Sequence, residues 1–439
     1  MTDGSADLLT ELKALREENK RLRSQLTSQH HEPHDRVLSN DEYIRYGRQM
    51  IVEGTGGVEG QMKLKNAKVL VVGAGGLGCP SILYLAAAGV GTIGIVDDDV
   101  VDVSNLHRQI MHNTSRVGVL KCESAKLTIR ELNPFVEVVT HPVRLSSQNA
   151  FEIFSGYDIV LDCTDNPMPR YLISDVAVNL GLTVVSGSGL GSEGQLTIYN
   201  FKNFGPCYRC FYPNPPPAGT VTSCEAGGVI GPCIGTIGVM MACETLKLIL
   251  DVYTEENFFP FIMHYSAFPI QKTRTFKMRG RRAGCISCSS ARSITQDAIE
   301  GGMVDYSVLC GGRNFDVCSP EERINVRDFH ERYSKCKGKD LILIDVRQSL
   351  QYAVTHLPNS YNVSLNDLMS MEGDVSKLEK AIPGISTSEK DVFIMCRRGN
   401  ESRLALRLLK DNFKVCKVRD IIGGYFQYIE DGDPSLPPY

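Results

Sequence analysis

The residues of this chain best suited to chemistry are its cysteines, fifteen among 439 residues. The polar start MTDGSADLLTELK lacks the charged-then-apolar layout of a secretory leader, so a cytoplasmic protein is expected. In a reducing compartment an odd, high cysteine count reads as fillers, metal ligands and nucleophiles rather than as disulfides. Two pairs, Cys207-x-x-Cys210 and Cys285-x-x-Cys288, have the spacing of zinc knuckles. Together they supply four thiolates, a closed tetrahedral site with no open position for water, hence a structural Zn²⁺. One such pair alone would also suit a redox motif; two in one domain point to metal. Cys224 stands between PNPPPAGTVTS and EAGGVIG, flanks that make a loop, where a cysteine is more open to reaction than in a core. Cys79, Cys163, Cys233 and Cys243 have apolar neighbours and read as packing residues.

Cys396 is a second candidate nucleophile. It ends the apolar run DVFIMC and opens the loop CRRGNE, which leads into a helical pattern from about Ser402. Backbone N–H groups and the positive end of that helix would surround the sulfur and favour a thiolate or persulfide anion. Arg397 and Arg398 add positive charge. A phosphatase loop of the Cys-x5-Arg kind would need arginine at position 402, where Ser402 stands, so phosphate chemistry is not expected.

A different chemistry is written in VLVVGAGGLGCPS, where an apolar strand runs into glycines and then a helical pattern. That layout places phosphates against a helix N-terminus, and the glycines alone fit NAD as well as ATP. Asp97 ends the next strand, where a ribose-binding acid belongs. Beyond it, Asn105, Arg108 and Lys121 crowd polar and cationic groups near the nucleotide. Hydride transfer has little use for them; attack on an α-phosphate needs cations, because negative charge builds on phosphoryl oxygens. Asp165, in LDCTDN at another strand end, has the chemistry to hold Mg²⁺. The loop is therefore read as an ATP site.

These residues need strands that deliver them. AKVLVVGAG, GTIGIVDDD, YDIVLDCTDN and TVVSGSG are short apolar runs ending in Gly or Asp, the pattern of buried parallel strands with functional C-terminal ends. DLILIDVR and DVFIMCRRG repeat it further on, before the helical SRLALRLLK. Leu8, Leu12, Leu15, Asn19, Leu22 and Leu26 form a heptad seam, a short N-terminal helix or coiled coil over 1–30. The fold class is α/β: a Rossmann-like domain over 41–290, a linker at 291–319, and a smaller α/β domain over 320–439. A net charge of −4 and a pI near 6.2 give no footprint for direct nucleic-acid binding. No apolar run approaches the roughly 20 residues that span a bilayer, so no membrane association is expected.

RYGRQM, GAGGLGCP, SNLHRQ, LDCTDN, GPCYRC and TVTSCEAGGVIGP, in that order, resemble the adenylating enzymes that activate ubiquitin-like proteins. The resemblance implies a homodimer in which Gly76, Asp97, Ser104, Asn105, Leu106, His107, Arg108, Lys121, Asp165 and Asn166 bind ATP. Arg48 matches an arginine that reaches across to the partner subunit's triphosphate. The C-terminal glycine of a small ubiquitin-fold protein would become an acyl-adenylate, with Cys224 at the position of the family's nucleophile. LILIDVRQSLQYAVTHLPNSYNVSL, VFIMCRRGNESRLALRLL and DIIGGYFQY resemble a rhodanese domain, although THLPNS replaces the commoner GHIPGA and the chain has no tryptophan.

The two together are the layout of the eukaryotic family of molybdenum-cofactor sulfurylases and ubiquitin-related-modifier activators. By that resemblance the enzyme is an adenylyltransferase and sulfurtransferase whose catalytic residues are Cys224, Cys396, Asp165 and Arg108. Its partners would be the ubiquitin-related modifier, the molybdopterin-synthase small subunit, or both, with a persulfide-donating sulfurtransferase. Its product, a thiocarboxylate, would serve tRNA wobble-uridine 2-thiolation and molybdopterin synthesis. The alternatives are a modifier-conjugating activating enzyme with a non-catalytic rhodanese module and, more remotely, an NAD-dependent oxidoreductase.

Overall fold

The computed structural model describes residues 38–215, 228–306, 315–336, 338–386 and 389–437. The N-terminal heptad seam and Cys224 lie outside the described residues. The chain divides into two compact units, whose described parts are 38–306 and 315–437.

The first unit is built on one sheet. Its strands are β1 (Lys68–Val72), β2 (Thr92–Val96), β3 (Glu137–His141), β4 (Ile159–Asp162), β5 (Thr183–Leu190), β6 (Glu193–Tyr199), β7 (Phe261–Ser266) and β8 (Lys272–Lys277). They lie in the order β3-β2-β1-β4-β5-β6-β7-β8. β1 to β5 pair in parallel, and β6 to β8 add an antiparallel extension. Sequence patterning had not exposed that extension, because every residue of β8 is exposed and carries no apolar run.

The parallel strands are buried on both faces, as continuous apolar runs require. Val69 and Val71 pack with Ile93, Ile95 and the helix Gly78–Ala88 on one side. Leu70 and Val72 pack with Val96, Val160 and the helix Pro167–Leu180 on the other. β1 sits between β2 and β4, so the chain leaves it to one side and returns on the other; ligands bind in such sheets at that reversal, at the strands' carboxyl ends.

Three expectations change. The helix Gly231–Ile249 has 19 residues and a mean hydropathy of 1.4 over its most apolar window, enough by length and composition to cross a membrane. Its Cys233, Ile234, Ile237, Met241 and Ala242 are instead buried in the core with the sheet, which is why an apolar run escaped notice in a segment broken by Gly and Thr. Cys79, Cys163 and Cys233 are buried, but Cys243 on the same helix is exposed. The 291–319 stretch holds folded chain: Ile294, Ile299 and Tyr306 join the first unit's core, and Thr295 caps a short helix, Gln296–Glu300. Phe315 and Val317 give their carbonyls to Arg403 and Arg407 in the second unit.

The second unit has five parallel strands: β9 (Arg323–Ile324), β10 (Leu341–Asp345), β11 (Ser360–Asn362), β12 (Asp391–Met395) and β13 (Val418–Ile421). Their order is β11-β10-β12-β13-β9. Ile342, Ile344 and Ile394 face Leu406 and Leu409 of the helix Glu401–Asp411. Leu343, Phe393 and Met395 face Phe329 and Tyr425 on the other side. The reversal here falls between β10 and β12, and Cys396 follows the last residue of β12.

Candidate functional site

At the carboxyl end of β1, Gly73 has φ +102°, and a Cβ on it would stand 2.9 Å from the Cys163 carbonyl oxygen after β4. A Cβ on Gly78 would stand 1.9 Å from the Gly73 oxygen, so only glycine lets the chain turn into the helix Gly78–Ala88. No side chain caps that helix among the described residues; the Cys79 N–H is taken by the Gly75 carbonyl at 2.9 Å and Pro80 has none, so an anion would meet the glycine loop and the very start of the helix. The Ala74 N–H donates to Asp97 Oδ2 at 2.7 Å, tying the loop after β1 to the end of β2. Burial raises the Asp97 pKa, and Lys121 draws it back down.

The candidate residues after β2 form a connected group. Asp102 caps the short turn Val103–Asn105 by accepting from the Ser104 N–H, and the Leu106 N–H closes the turn onto the Val103 carbonyl. Arg108 donates to Asn105 Oδ1 and lies 3.2 Å from His107 Nε2; His107 Nδ1 lies 2.9 Å from the Ser104 carbonyl. A Cβ on Gly76 would stand 3.6 Å from Arg108 Cδ, so the arginine runs beside the glycine loop. Lys121 is buried with Nζ on Asp99 Oδ2 at 2.7 Å. Asp165 is exposed just past β4, and Asn166 caps the helix Pro167–Leu180. The glycines, Asp97, the 104–108 turn and the 163–166 loop thus converge at one end of the sheet. Arg48 stands apart from them: it is exposed in the last turn of the helix Asn40–Met50 and makes no hydrogen bond among the described residues.

Sequence reasoning passed over three residues that shape this end. His112 is buried, with Nδ1 2.9 Å from Ser124 Oγ and Nε2 3.1 Å from the Ala74 carbonyl, and burial lowers its pKa. Arg170 donates to the Thr164 carbonyl at 2.6 Å and the Gly187 carbonyl at 2.8 Å, fixing the chain just before Asp165. Gln109 is buried beside Gly75, with an Oε1 that has no partner among the described residues. Of the three, only Gln109 left a sequence signal, as the residue next to Arg108. The chain returns at Gly228, whose carbonyl accepts from the Gly191 N–H at 2.9 Å at the β5–β6 turn.

Cys207, Cys210, Cys285 and Cys288 come together, all four Sγ atoms within 4.8 Å of one another. The shortest separations are 3.3, 3.6 and 3.8 Å. A tetrahedron with bonds of about 2.3 Å to sulfur has edges of about 3.8 Å, so the cluster is close to the size that zinc requires. Arg209, inside the first knuckle, is buried against Asp175, whose Oδ2 also accepts from Tyr306.

Cys396 is 2% exposed, with the Gly399 N–H donating to its sulfur at 3.1 Å and Ser402 Oγ 3.2 Å away. The helix starts at Glu401 rather than Ser402. One expectation is corrected: burial pushes the thiol pKa up, Glu401 and Asp420 add to the rise, and Ser402 opposes it. The loop is thus no ready-made thiolate trap. A second loop closes over it, with the Tyr425 and Phe426 N–H groups donating to the Cys396 and Arg397 carbonyls at 2.8 and 2.9 Å. A Cβ on Gly424 would stand 2.3 Å from the Cys396 oxygen. Cys122, next to Lys121 in the chain, is buried, and burial pushes its thiol up to about 12.

The ThiF family model matches residues 46–287, and the rhodanese-like domain model matches 327–431. The chain is 59% identical over 434 residues to the adenylyltransferase and sulfurtransferase UBA4 of Saccharomyces cerevisiae, covering 99% of this chain and 98% of that one. The protein of that name from Candida glabrata is 57% identical over 440 residues, covering 100% of both. Among solved structures, E. coli MccB with MccA-N7isoASN aligns at a TM-score of 0.50 and 21% identity, covering 59% of this chain and 77% of that one, a likeness of fold. An NAD-dependent oxidoreductase is set aside by these matches. With both halves matched in order and relatives more than half identical from end to end, the chain belongs to the adenylyltransferase and sulfurtransferase family, a ThiF-family adenylating domain joined to a rhodanese-like domain.

Proposed function

We propose that the first unit uses ATP to adenylate the C-terminal glycine of a ubiquitin-fold sulfur carrier, and that the second delivers a persulfide sulfur to it. The observation that carries this reading is the convergence of the loops after β1, β2 and β4 on an uncapped helix N-terminus. Triphosphate would lie on the Gly76 loop, with Asp97 toward the ribose and Ser104, Asn105, Leu106, His107 and Asn166 lining the site. The carrier's carboxylate attacks the α-phosphorus and pyrophosphate leaves. Arg108 and Lys121 offset the charge that grows on the phosphoryl oxygens, as does Arg48 from a second copy of the chain in a homodimer. Asp165 is the residue that would hold Mg²⁺, whose charge would help to offset that of the phosphates. The four cysteines of the cluster would hold Zn²⁺ in a structural role.

Cys396 carries the sulfur as a persulfide from a donor sulfurtransferase, attacks the acyl-adenylate and displaces AMP. Cys224 assists, through a thioester or by opening an acyl-disulfide; it precedes by four residues Gly228, which is bonded to the β5–β6 turn. The thiocarboxylate then serves molybdopterin synthesis and tRNA wobble-uridine thiolation in the cytoplasm. The test is pyrophosphate exchange with ATP and a ubiquitin-fold protein ending in glycine. Asp165→Ala should abolish exchange with no change in melting temperature, since the side chain is exposed. Cys224→Ala and Cys396→Ala should keep exchange and lose thiocarboxylate. Exchange that persists in Asp165→Ala defeats the metal-site assignment, and exchange lost in Cys396→Ala defeats the division of labour.

A further inference from the structure

Ser402, one of two polar neighbours of the Cys396 sulfur, is wholly buried in the first turn of the helix Glu401–Asp411. Across the 3.2 Å contact either atom can donate. On the neighbouring strand, Ile394 of β12 pairs with Asp420 of β13, two residues before Cys396. Asp420 is 0% exposed; its Oδ2 accepts from Arg323 Nε at 2.8 Å, and its Oδ1 has no hydrogen-bond partner among the described residues. A buried carboxylate oxygen left unmade is costly and calls for a reason. Burial raises the Asp420 pKa, and the nearby Ser402 hydroxyl and Arg323 pull it back down.

The sulfur has the converse problem. Its thiol pKa stands above the ordinary value, so at neutral pH it holds a proton that must leave before it can attack. The charged groups around it are Glu401 from its own loop, Asp420 with Arg323 from the neighbouring strands, and Arg403, whose Nε donates to the Gly399 carbonyl at 2.9 Å. Arg397 and Arg398 follow it in the chain, Arg398 lying over the Phe426 ring. Among these, only a carboxylate can accept a proton, and Ser402 stands on the sulfur's path to Asp420.

We propose that Ser402 relays the Cys396 proton to Asp420 as the sulfur becomes a nucleophile. This rests on the reading of Cys396 as the persulfide carrier. At rest the Cys396 thiol donates to Ser402 Oγ, which frees the Ser402 hydrogen for Asp420 Oδ1. Cys396 then attacks the outer sulfur of a donor persulfide, R–S–SH. The donor's S–S bond breaks, R–S⁻ leaves with the bonding pair, and Cys396–S–SH forms. The Cys396 proton passes to Ser402 and the Ser402 proton to Asp420, which ends as the neutral acid. The Cys396 sulfur is oxidised to the persulfide level and the donor's inner sulfur is reduced to a thiolate, so no outside electrons are needed. Ser402 is the catalytic group, and Asp420 is a positioning residue that stores the proton.

The test uses the full chain, glutathione persulfide as donor, and mass spectrometry to follow single-turnover persulfide formation on Cys396 from mildly acid to mildly alkaline pH. Asp420→Asn, which still offers Arg323 an acceptor, should slow the step at neutral pH by roughly 100-fold, the low end for general-base assistance. Its rate should then climb in proportion to hydroxide. Ser402→Ala should behave alike, and the double variant should be no slower than either, because one relay is cut twice. Loss of a neighbouring negative charge alone would lower the thiol pKa and speed the reaction, so the sign separates relay from simple electrostatics. A rate in Asp420→Asn equal to or above wild type overturns the proposal, as does an equal loss at every pH or an additive double variant. If Asp420→Asn does not fold, as judged by melting temperature, Ser402→Ala carries the same comparison. Wild-type protein that gains no persulfide on Cys396 defeats the carrier reading and the relay together; persulfide formed at the wild-type rate in both variants defeats the relay alone.

Discussion

Asp97 Oδ2 holds the Ala74 N–H at 2.7 Å, so the acid that ends β2 clamps the glycine loop that ends β1. Its Oδ1 accepts from the Asp99 N–H at 2.9 Å. A residue read from sequence as a ribose ligand is therefore part of the loop's own frame. Asp97→Ala leaves the buried Ala74 N–H without an acceptor and should cost about 1–3 kcal/mol of stability in the first unit. The KM for ATP in pyrophosphate exchange should rise with it. Denaturant unfolding checks the first effect; a variant with wild-type stability and raised KM would show that Asp97 serves the ligand only.

His112 bonds the Ala74 carbonyl from below and is held neutral by burial. Its folded pKa lies below the ordinary imidazole value of about 6.5, so on acidification the unfolded chain takes up a proton before the folded one does. The stability it contributes is full above that ordinary value and falls as pH drops toward the folded pKa. The melting temperature of the first unit should therefore decline below about pH 6.5. His141, also lowered by burial, adds to the same slope. His112→Asn should flatten the decline relative to wild type while lowering stability at neutral pH. An unchanged slope would mean that His112 protonates in place.

Metal analysis of purified protein should find one zinc ion per chain, and Cys210→Ser should lose it. A closed thiolate site contributes directly to folding, so that variant should melt lower and express less soluble protein. Wild-type protein free of zinc, with an intact melting profile, would remove the metal from the account.

Glu401 sits in the first turn of the sulfur loop's helix, and its charge helps to hold the Cys396 pKa up. A thiosulfate dianion entering that loop meets the same charge. A like charge several Å away costs of order 1 kcal/mol even when well solvated. Thiosulfate should be a poor sulfur source for wild-type protein, and Glu401→Arg should raise that activity by roughly tenfold or more, as removal of the repulsion and gain of an attraction add. No gain on charge reversal would show that the dianion does not lie near position 401.

The parallel halves of both sheets were legible because their strands are continuous apolar runs ending in Gly, Asp or Cys, a pattern that burial on two faces enforces. The cysteine cluster was legible from spacing alone, since knuckle geometry is local even when its two halves lie far apart in sequence. β6 to β8 were not, because an exposed edge such as KTRTFK carries no apolar signature. The rise of the Cys396 thiol pKa was missed for a related reason. Loop and helix position can be read from CRRGNE, but burial also depends on Gly424 and Tyr425 closing on the Cys396 backbone from a distant stretch of chain. His112, Arg170 and Asp420 act by holding backbone or side chains from elsewhere, and nothing in their own surroundings in sequence marks that task.

Cys207 and Cys285 are 78 positions apart, and their sulfurs lie 3.6 Å from one another. Between them run β7, β8, the helix Gly231–Ile249 and the segment with Cys224, so an ion bound there closes a single large ring of polypeptide. By the chain-entropy relation for cross-links, a ring of that size denies the unfolded chain freedom worth about 4–5 kcal/mol. A bound ion would then act as a removable cross-link on the part of the enzyme that carries Cys224, the proposed loop nucleophile, although none of its ligands belongs to the proposed nucleotide site. A chelator that opened the ring would leave every proposed ATP-facing residue in the chain and still slacken the segment to which we assign a part in transfer.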